Sequence, residues 1–210
     1  MSQMIALIDY GSGNLHSAEK ALLRSATDRG LDIQVEVTSD PEAVRQADRL
    51  VLPGVGAFGT CMAALKARLG LVGALEDAVL EAKRPFLGIC VGMQLLATKG
   101  LEHGETAGFG WIDGTVGPLE AGELKVPHMG WNHVQGAGHL LLPPDGDAYF
   151  VHSYAFEVSD PSVMAATATY GQPFPAMVIK DNIAGTQFHP EKSQAYGLDL
   201  LGRFLTWEPS

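Results

Sequence analysis

In the first 90 residues, four short apolar runs each end in a turn rich in Gly, Pro, Ser or Asp and lead into a helical stretch. Met4–Ile8 closes in Asp9-Tyr10-Gly11-Ser12-Gly13, and Asn14 is placed to cap a helix carrying Ala18, Ala21, Leu22 and Ser25 up to Gly30. Ile33, Val35 and Val37 alternate as in a strand, and Ser39-Asp40-Pro41 opens a short helix. Arg49–Leu52 is a third run, followed by helical stretches at Thr60–Leu69 and Leu71–Lys83. Pro85–Ile89 is the fourth, with a further helix expected from Met93 to Thr98. Such a rhythm folds as parallel strands joined by right-handed crossovers. The expected class is therefore α/β, a doubly wound, mainly parallel sheet of the flavodoxin-like kind.

The second half reads differently. Between Gly104 and Pro175 helical periodicity fades. Strand candidates at Gly114–Gly117, Ala148–His152, Ala155–Val158 and Met164–Tyr170 predict added antiparallel strands. Ala176–Ile179 and Ile183–Phe188 follow as strands, and Ser193–Trp207 as an amphipathic helix with Leu198, Leu201, Phe204 and Leu205 on one face. No repeat or linker interrupts the chain, so residues 1–210 are read as a single domain.

Charge narrows the partners. With 14 Lys+Arg against 24 Asp+Glu, the net charge of −10 disfavours nucleic acid and anionic membranes, which need a basic face. Charged residues are only 18 % and hydrophobics 46 %, which fits either a well-filled α/β core or a surface covered by a partner. The start lacks the basic flank of a signal peptide, and no window of about 20 residues is continuously apolar. A cytoplasmic location is expected. The two cysteines, Cys61 and Cys90, support neither a disulfide framework nor a metal cluster, and no cofactor is expected.

Gly88-Ile89-Cys90-Val91-Gly92 places a cysteine between two glycines at the junction of a strand and a helix. A sharp strand-to-helix turn exposes a nucleophile, and the flanking glycines permit the crowding. A helix N-terminus also favours thiolate. A free cysteine is most often a small buried hydrophobe; this context favours the nucleophile for Cys90 and leaves Cys61 as an ordinary thiol. Of the seven histidines, only His189 has a carboxylate placed to orient it, Glu191 in His189-Pro190-Glu191. On an extended chain, residues two apart point the same way. The glycine-rich run Pro53–Gly59 after the third strand can present N–H groups to an oxyanion, or be only a tight turn. No G-K-[ST] follows it, which excludes a phosphate loop.

An elbow cysteine, an H-P-E string and a glycine-rich strand end resemble the class I (triad-type) glutamine amidotransferases. YGSGNL (10–15), PGVGAFG (53–59), GICVGMQLL (88–96), GWIDG (110–114), VPHMGWN (126–132), YFVHSY (149–154) and FHPEKS (188–193) occur in that order. Together they are most similar to the glutaminase subunits of imidazole glycerol phosphate synthases in histidine biosynthesis, with VPHMGWN and PEKS the discriminating strings. The resemblance implies that Cys90 attacks the glutamine amide, His189 transfers protons and Glu191 orients His189. It also implies an oxyanion hole from Val91 and the strand Gly54, Val55 and Gly56, and glutamine held by Gly56, Gln94, Ser153 and Tyr154. Ammonia then passes to a (β/α)₈ cyclase subunit, with Asn14, Trp131 and Lys192 near the interface. On the residues alone, Trp131 reads as core and Lys192 as a solvated charge. Three rivals are a glutaminase of another synthase, a cysteine hydrolase acting alone, and a regulatory subunit without activity. VPHMGWN argues against the first, and the intact Cys90, His189 and Glu191 against the last.

Overall fold

The computed structural model describes residues 2–209. Strands β1 (Gln3–Ile8), β2 (Ile33–Thr38), β3 (Arg49–Gly54) and β4 (Phe86–Cys90) alternate with helices α1 (Leu15–Asp28), α2 (Pro41–Gln46), α3 (Phe58–Ala67) and α4 (Leu71–Glu76). After α5 (Val91–Gln94) come the short β5 (Lys99–Gly100) and β6 (Thr106–Ala107), then β7 (Gly114–Pro118), β8 (His128–Gly136), β9 (Gly146–His152) and β10 (Tyr154–Val158). β11 (Met164–Tyr170), β12 (Gln172–Lys180), β13 (Ile183–Thr186) and α6 (Gln194–Leu205) complete the order.

The main sheet has nine strands in the order β2-β1-β3-β4-β13-β12-β11-β8-β9. The first five run parallel, and β12, β11, β8 and β9 continue as an antiparallel meander. The other four strands form a separate sheet, β10-β7-β5-β6. The central strands β3 and β4 are buried along their whole length, as strands covered on both faces must be. α1 buries Ala18, Ala21, Leu22, Ser25 and Ala26, and Ser25 Oγ donates to the Leu198 carbonyl of α6. Asn14 caps α1, its side chain accepting from Ser17 N–H at 3.4 Å.

Two local expectations change, and one strand was not expected. The helix expected over Met93–Thr98 is the single turn α5, because the carbonyls of Leu95, Leu96 and Ala97 accept from Phe109, Ile112 and Gly110 N–H instead. The helix from Leu71 loosens into a π turn at Asp77–Glu81. The nine-residue β8 carries no alternating apolar signature. It forms because it pairs with β9 over seven consecutive positions, from His128↔His152 to Val134↔Gly146.

Candidate active site

Parallel strands joined by helices leave their C-terminal ends free to build a site. Register brings three of these ends together: Gly54 of β3 lies opposite Cys90 of β4, and Thr186 of β13 pairs with Ile89. Gln187 and His189, just beyond β13, therefore flank the cysteine from the other side.

Cys90 sits at φ 55°, ψ −111°, in a region that only a well-supported backbone holds for a residue with a side chain. The support is steric. A Cβ at Gly88 would meet the Gly92 carbonyl oxygen at 2.5 Å, and one at Gly92 would collide with the Leu52 carbonyl. The elbow thus requires both glycines. α5 is one turn long, so what it offers Cys90 is free first-turn N–H groups, Val91 among them, rather than a long dipole. The sulfur lies 3.9 Å from the Val151 carbonyl and 3.7 Å from Gln187 Nε2.

His189 Nδ1 is 2.8 Å from Glu191 Oε1, and both side chains are only 3 % exposed. The pairing expected between them holds, but by a different geometry. Pro190–Lys192 is a 3₁₀ turn, not extended chain, and Ser193 Oγ pins it by donating to the His189 carbonyl while accepting from Tyr149 N–H. His189 Nε2, the far end of the ring, has no partner among the described residues. Burial works against charge on this ring, but the adjacent Cys90 and Glu191 outweigh it and hold its pKa up at about 9.

Cys90 and His189 open on a cavity of about 480 Å³, which Val55, Gly56, Val91, Gln94, Ser153 and Tyr154 also line. Gln94 Nε2 donates to the Tyr154 carbonyl and to Gln187 Oε1, each at 3.0 Å. Gly54 is packed too tightly for a side chain: a Cβ would lie 2.8 Å from both Gly92 N and Tyr10 Oη. Tyr10 donates to the Pro53 carbonyl at 2.9 Å, and burial keeps its phenol far above the ordinary range. Val55 is gripped through the peptide units on both of its sides. Its N–H donates to Ser12 Oγ at 3.2 Å, and its carbonyl accepts from the same hydroxyl at 2.6 Å and from Cys61 Sγ at 3.4 Å. Cys61, read from the sequence as an ordinary thiol, touches the strand proposed for the oxyanion hole.

Trp131 is half exposed and packs edge-on against Tyr149, with ring centroids 6.0 Å apart. Lys192 Nζ stands 5.8 Å from the same ring, so Trp131 and Lys192 share one neighbour near the His189 turn. Asn14 caps α1, the helix that packs against the Pro190–Lys192 turn. Val55, Val126, Met129 and Trp131 are exposed apolar side chains, and Val55 and Pro127 line the cavity. Sequence reasoning missed Gln187, His152, Glu102, His103 and Pro127. Glu102 serves as a distant cap for α3, accepting from Phe58 N–H at 2.8 Å. Gln187 was discoverable as the residue that follows the last parallel strand.

Fold, elbow and buried His–Glu pair bring a cysteine, a histidine and a carboxylate together at one edge of the sheet. The class-I glutamine amidotransferase family matches residues 6–206, and the chain belongs to it. Over 98 % of its length it is 53 % identical to a Rhodospirillum rubrum protein named imidazole glycerol phosphate synthase subunit HisH, 99 % of which is covered. The Zymomonas mobilis protein of the same name is 56 % identical, with 99 % of this chain and 98 % of that protein aligned. Among solved structures, a glutamine amidotransferase superposes with a TM-score of 0.73 at 18 % identity, covering 96 % and 97 % of the two chains. A glutamine amidotransferase from Thermotoga maritima gives 0.60 at 17 % identity, covering 91 % and 77 %. These two show the shared fold.

Proposed function

We propose that this chain is the glutaminase subunit of an imidazole glycerol phosphate synthase, supplying ammonia to a separate (β/α)₈ cyclase subunit. The observation that carries the chemistry is the strained elbow at Cys90 beside a buried His189 whose outer nitrogen is unpartnered among the described residues and whose inner nitrogen meets Glu191. Cys90 Sγ attacks the side-chain amide carbon of glutamine. His189 takes up the thiol proton and returns it to the departing nitrogen, so ammonia leaves and a thioester remains. Water, deprotonated by His189, then releases glutamate. Glu191 fixes the ring and stabilises its charged form. Val91 N–H serves as one oxyanion donor, and Gly56, Gln94, Ser153 and Tyr154 hold the substrate.

The second oxyanion donor comes from the strand Gly54–Gly56, and Ser12 occupies the Val55 N–H. The lone chain therefore rests one donor short, which amounts to roughly 10²–10³ in rate. A partner that favours the turned peptide restores it by population shift. The exposed Trp131 and Met129 of β8 mark the docking face, with Lys192 and Asn14 as further contacts. The test is glutamate release by the purified chain with and without the (β/α)₈ subunit. Strong stimulation by the partner supports the reading; full activity of the lone chain refutes the gating, and no activity in either state refutes the function.

A further inference from the structure

Two buried histidines outside the proposed triad sit in a hydrogen-bond chain whose directions are fully determined. The Tyr154 carbonyl can only accept, so His152 Nδ1, 2.9 Å away, carries a proton and donates to it. In a neutral ring His152 Nε2 must then accept, and its partner at 3.0 Å is His128 Nδ1, which donates. His128 Nε2 is left as an acceptor for Asn132 Nδ2 at 3.3 Å, whose other hydrogen goes to the Thr169 carbonyl at 2.9 Å. Both rings are neutral for a physical reason. His128 is stacked between Tyr170 and Phe150, with centroids 4.0 and 5.0 Å away, and burial lowers its pKa to about 4. Burial does the same to His152, and charge on His128 or His189 would depress it further.

The chain continues past Tyr154. The same carbonyl accepts from Gln94 Nε2, whose second hydrogen goes to Gln187 Oε1. That fixes the Gln187 amide with its Nε2 toward Cys90 Sγ, at 3.7 Å. Gln187 is completely buried, so nothing in solvent competes for its orientation. Resting on the glutaminase reading, we propose that Gln187 is a further catalytic residue, donating to the Cys90 sulfur, and that His128 and His152 are positioning residues that orient it. The path begins on β8, the strand that carries the exposed Trp131, and ends at the nucleophile. A donor aimed at sulfur favours its anionic form, and a hydrogen bond to a charged group is among the stronger ones.

The test reads alkylation of Cys90 in the full chain by iodoacetamide, located by peptide mass spectrometry, which does not depend on glutamine turnover. In Gln187→Met, alkylation at pH 6 is expected to fall about tenfold relative to wild type, while at pH 10 the two stay within about twofold. His152→Asn keeps a donor near the Nδ1 position and should stay close to wild type; His152→Gln loses that donor and should fall with Gln187→Met. A purely structural histidine would give both His152 variants the same loss of melting temperature and the same alkylation ratio. That result, or an unchanged pH 6 rate in folded Gln187→Met, overturns the proposal. Nitrogen NMR of the unmodified chain checks it without substitution: both rings should carry the proton at Nδ1, and Nε2–H at either overturns the chain. If the wild type alkylates as described yet never hydrolyses glutamine, the glutaminase reading fails while the hydrogen-bond chain stands.

Discussion

Ser12→Ala removes the hydroxyl that holds the peptide units on either side of Val55. Ser12 Oγ accepts from Val55 N–H at 3.2 Å and donates to Val55 C=O at 2.6 Å, so the substitution deletes two hydrogen bonds from the resting arrangement. Each contributes about 0.5–1.5 kcal/mol net, and Val55 is exposed enough for water to recover part of this. A loss of about 1–2 kcal/mol raises the population of the turned peptide by roughly 5–30-fold. The ceiling is one oxyanion donor, roughly 10²–10³. Partner-free glutaminase activity of Ser12→Ala should therefore rise about 5–30-fold in steady-state glutamate release. Activity with saturating partner should change less than about twofold, because the partner already favours the turned peptide. The stimulation ratio collapses from its lower end. Cys61→Ala, which removes the 3.4 Å contact to the Val55 carbonyl and the 3.5 Å contact to Ser12 Oγ but leaves both Ser12–Val55 hydrogen bonds, should act in the same direction and more weakly. A folded Ser12→Ala whose basal rate is unchanged or reduced would show that this hydroxyl does not restrain the oxyanion peptide.

Cys90→Ala should abolish glutamine hydrolysis by several orders of magnitude with the melting temperature nearly unchanged; residual turnover near wild type would remove Cys90 as nucleophile. Ammonia-driven synthesis by the assembled enzyme should survive in that variant. Trp131→Ala should weaken partner binding by about 2 kcal/mol, read by calorimetry, and leave the thermal midpoint close to wild type because the ring is half exposed; a large drop in midpoint with unchanged affinity would return Trp131 to a structural role. Unfolding should become easier as pH falls from about 6.5 toward 4. His128 and His152 take up protons on unfolding that their native pKa values of about 4 refuse. Urea midpoints at pH 7 and pH 5 test this, and His128→Gln should show a smaller drop than wild type. His189, with its pKa raised to about 9, works the opposite way: its contribution is complete below about 6.5 and is lost as pH rises through 9.

Much of the parallel half was legible because its signals are local. Apolar runs, an Asn cap and a proline at the first helical position act within a few residues, and β1, α1, α2, β3 and β4 formed where those signals stood. The elbow was legible for the same reason: only glycine fits at positions 88 and 92 once Cys90 turns the chain. His189 and Glu191 are two residues apart, so their pairing could be expected even though the turn that achieves it was not. The contacts that decide how the site works are of another kind. Ser12 reaches Val55 across 43 residues, His128 reaches His152 across 24, and Gln187 reaches Cys90 across 97. None of these pairs has a local signature. β8 itself, rich in Gly, Asn and His, becomes a strand only because β9 and β11 supply its hydrogen bonds. Local sterics and periodicity told where the chain turns and which residue the turn exposes. Sheet register, set by the burial of every strand at once, decided which distant donors and acceptors face one another, and therefore how the cysteine is held.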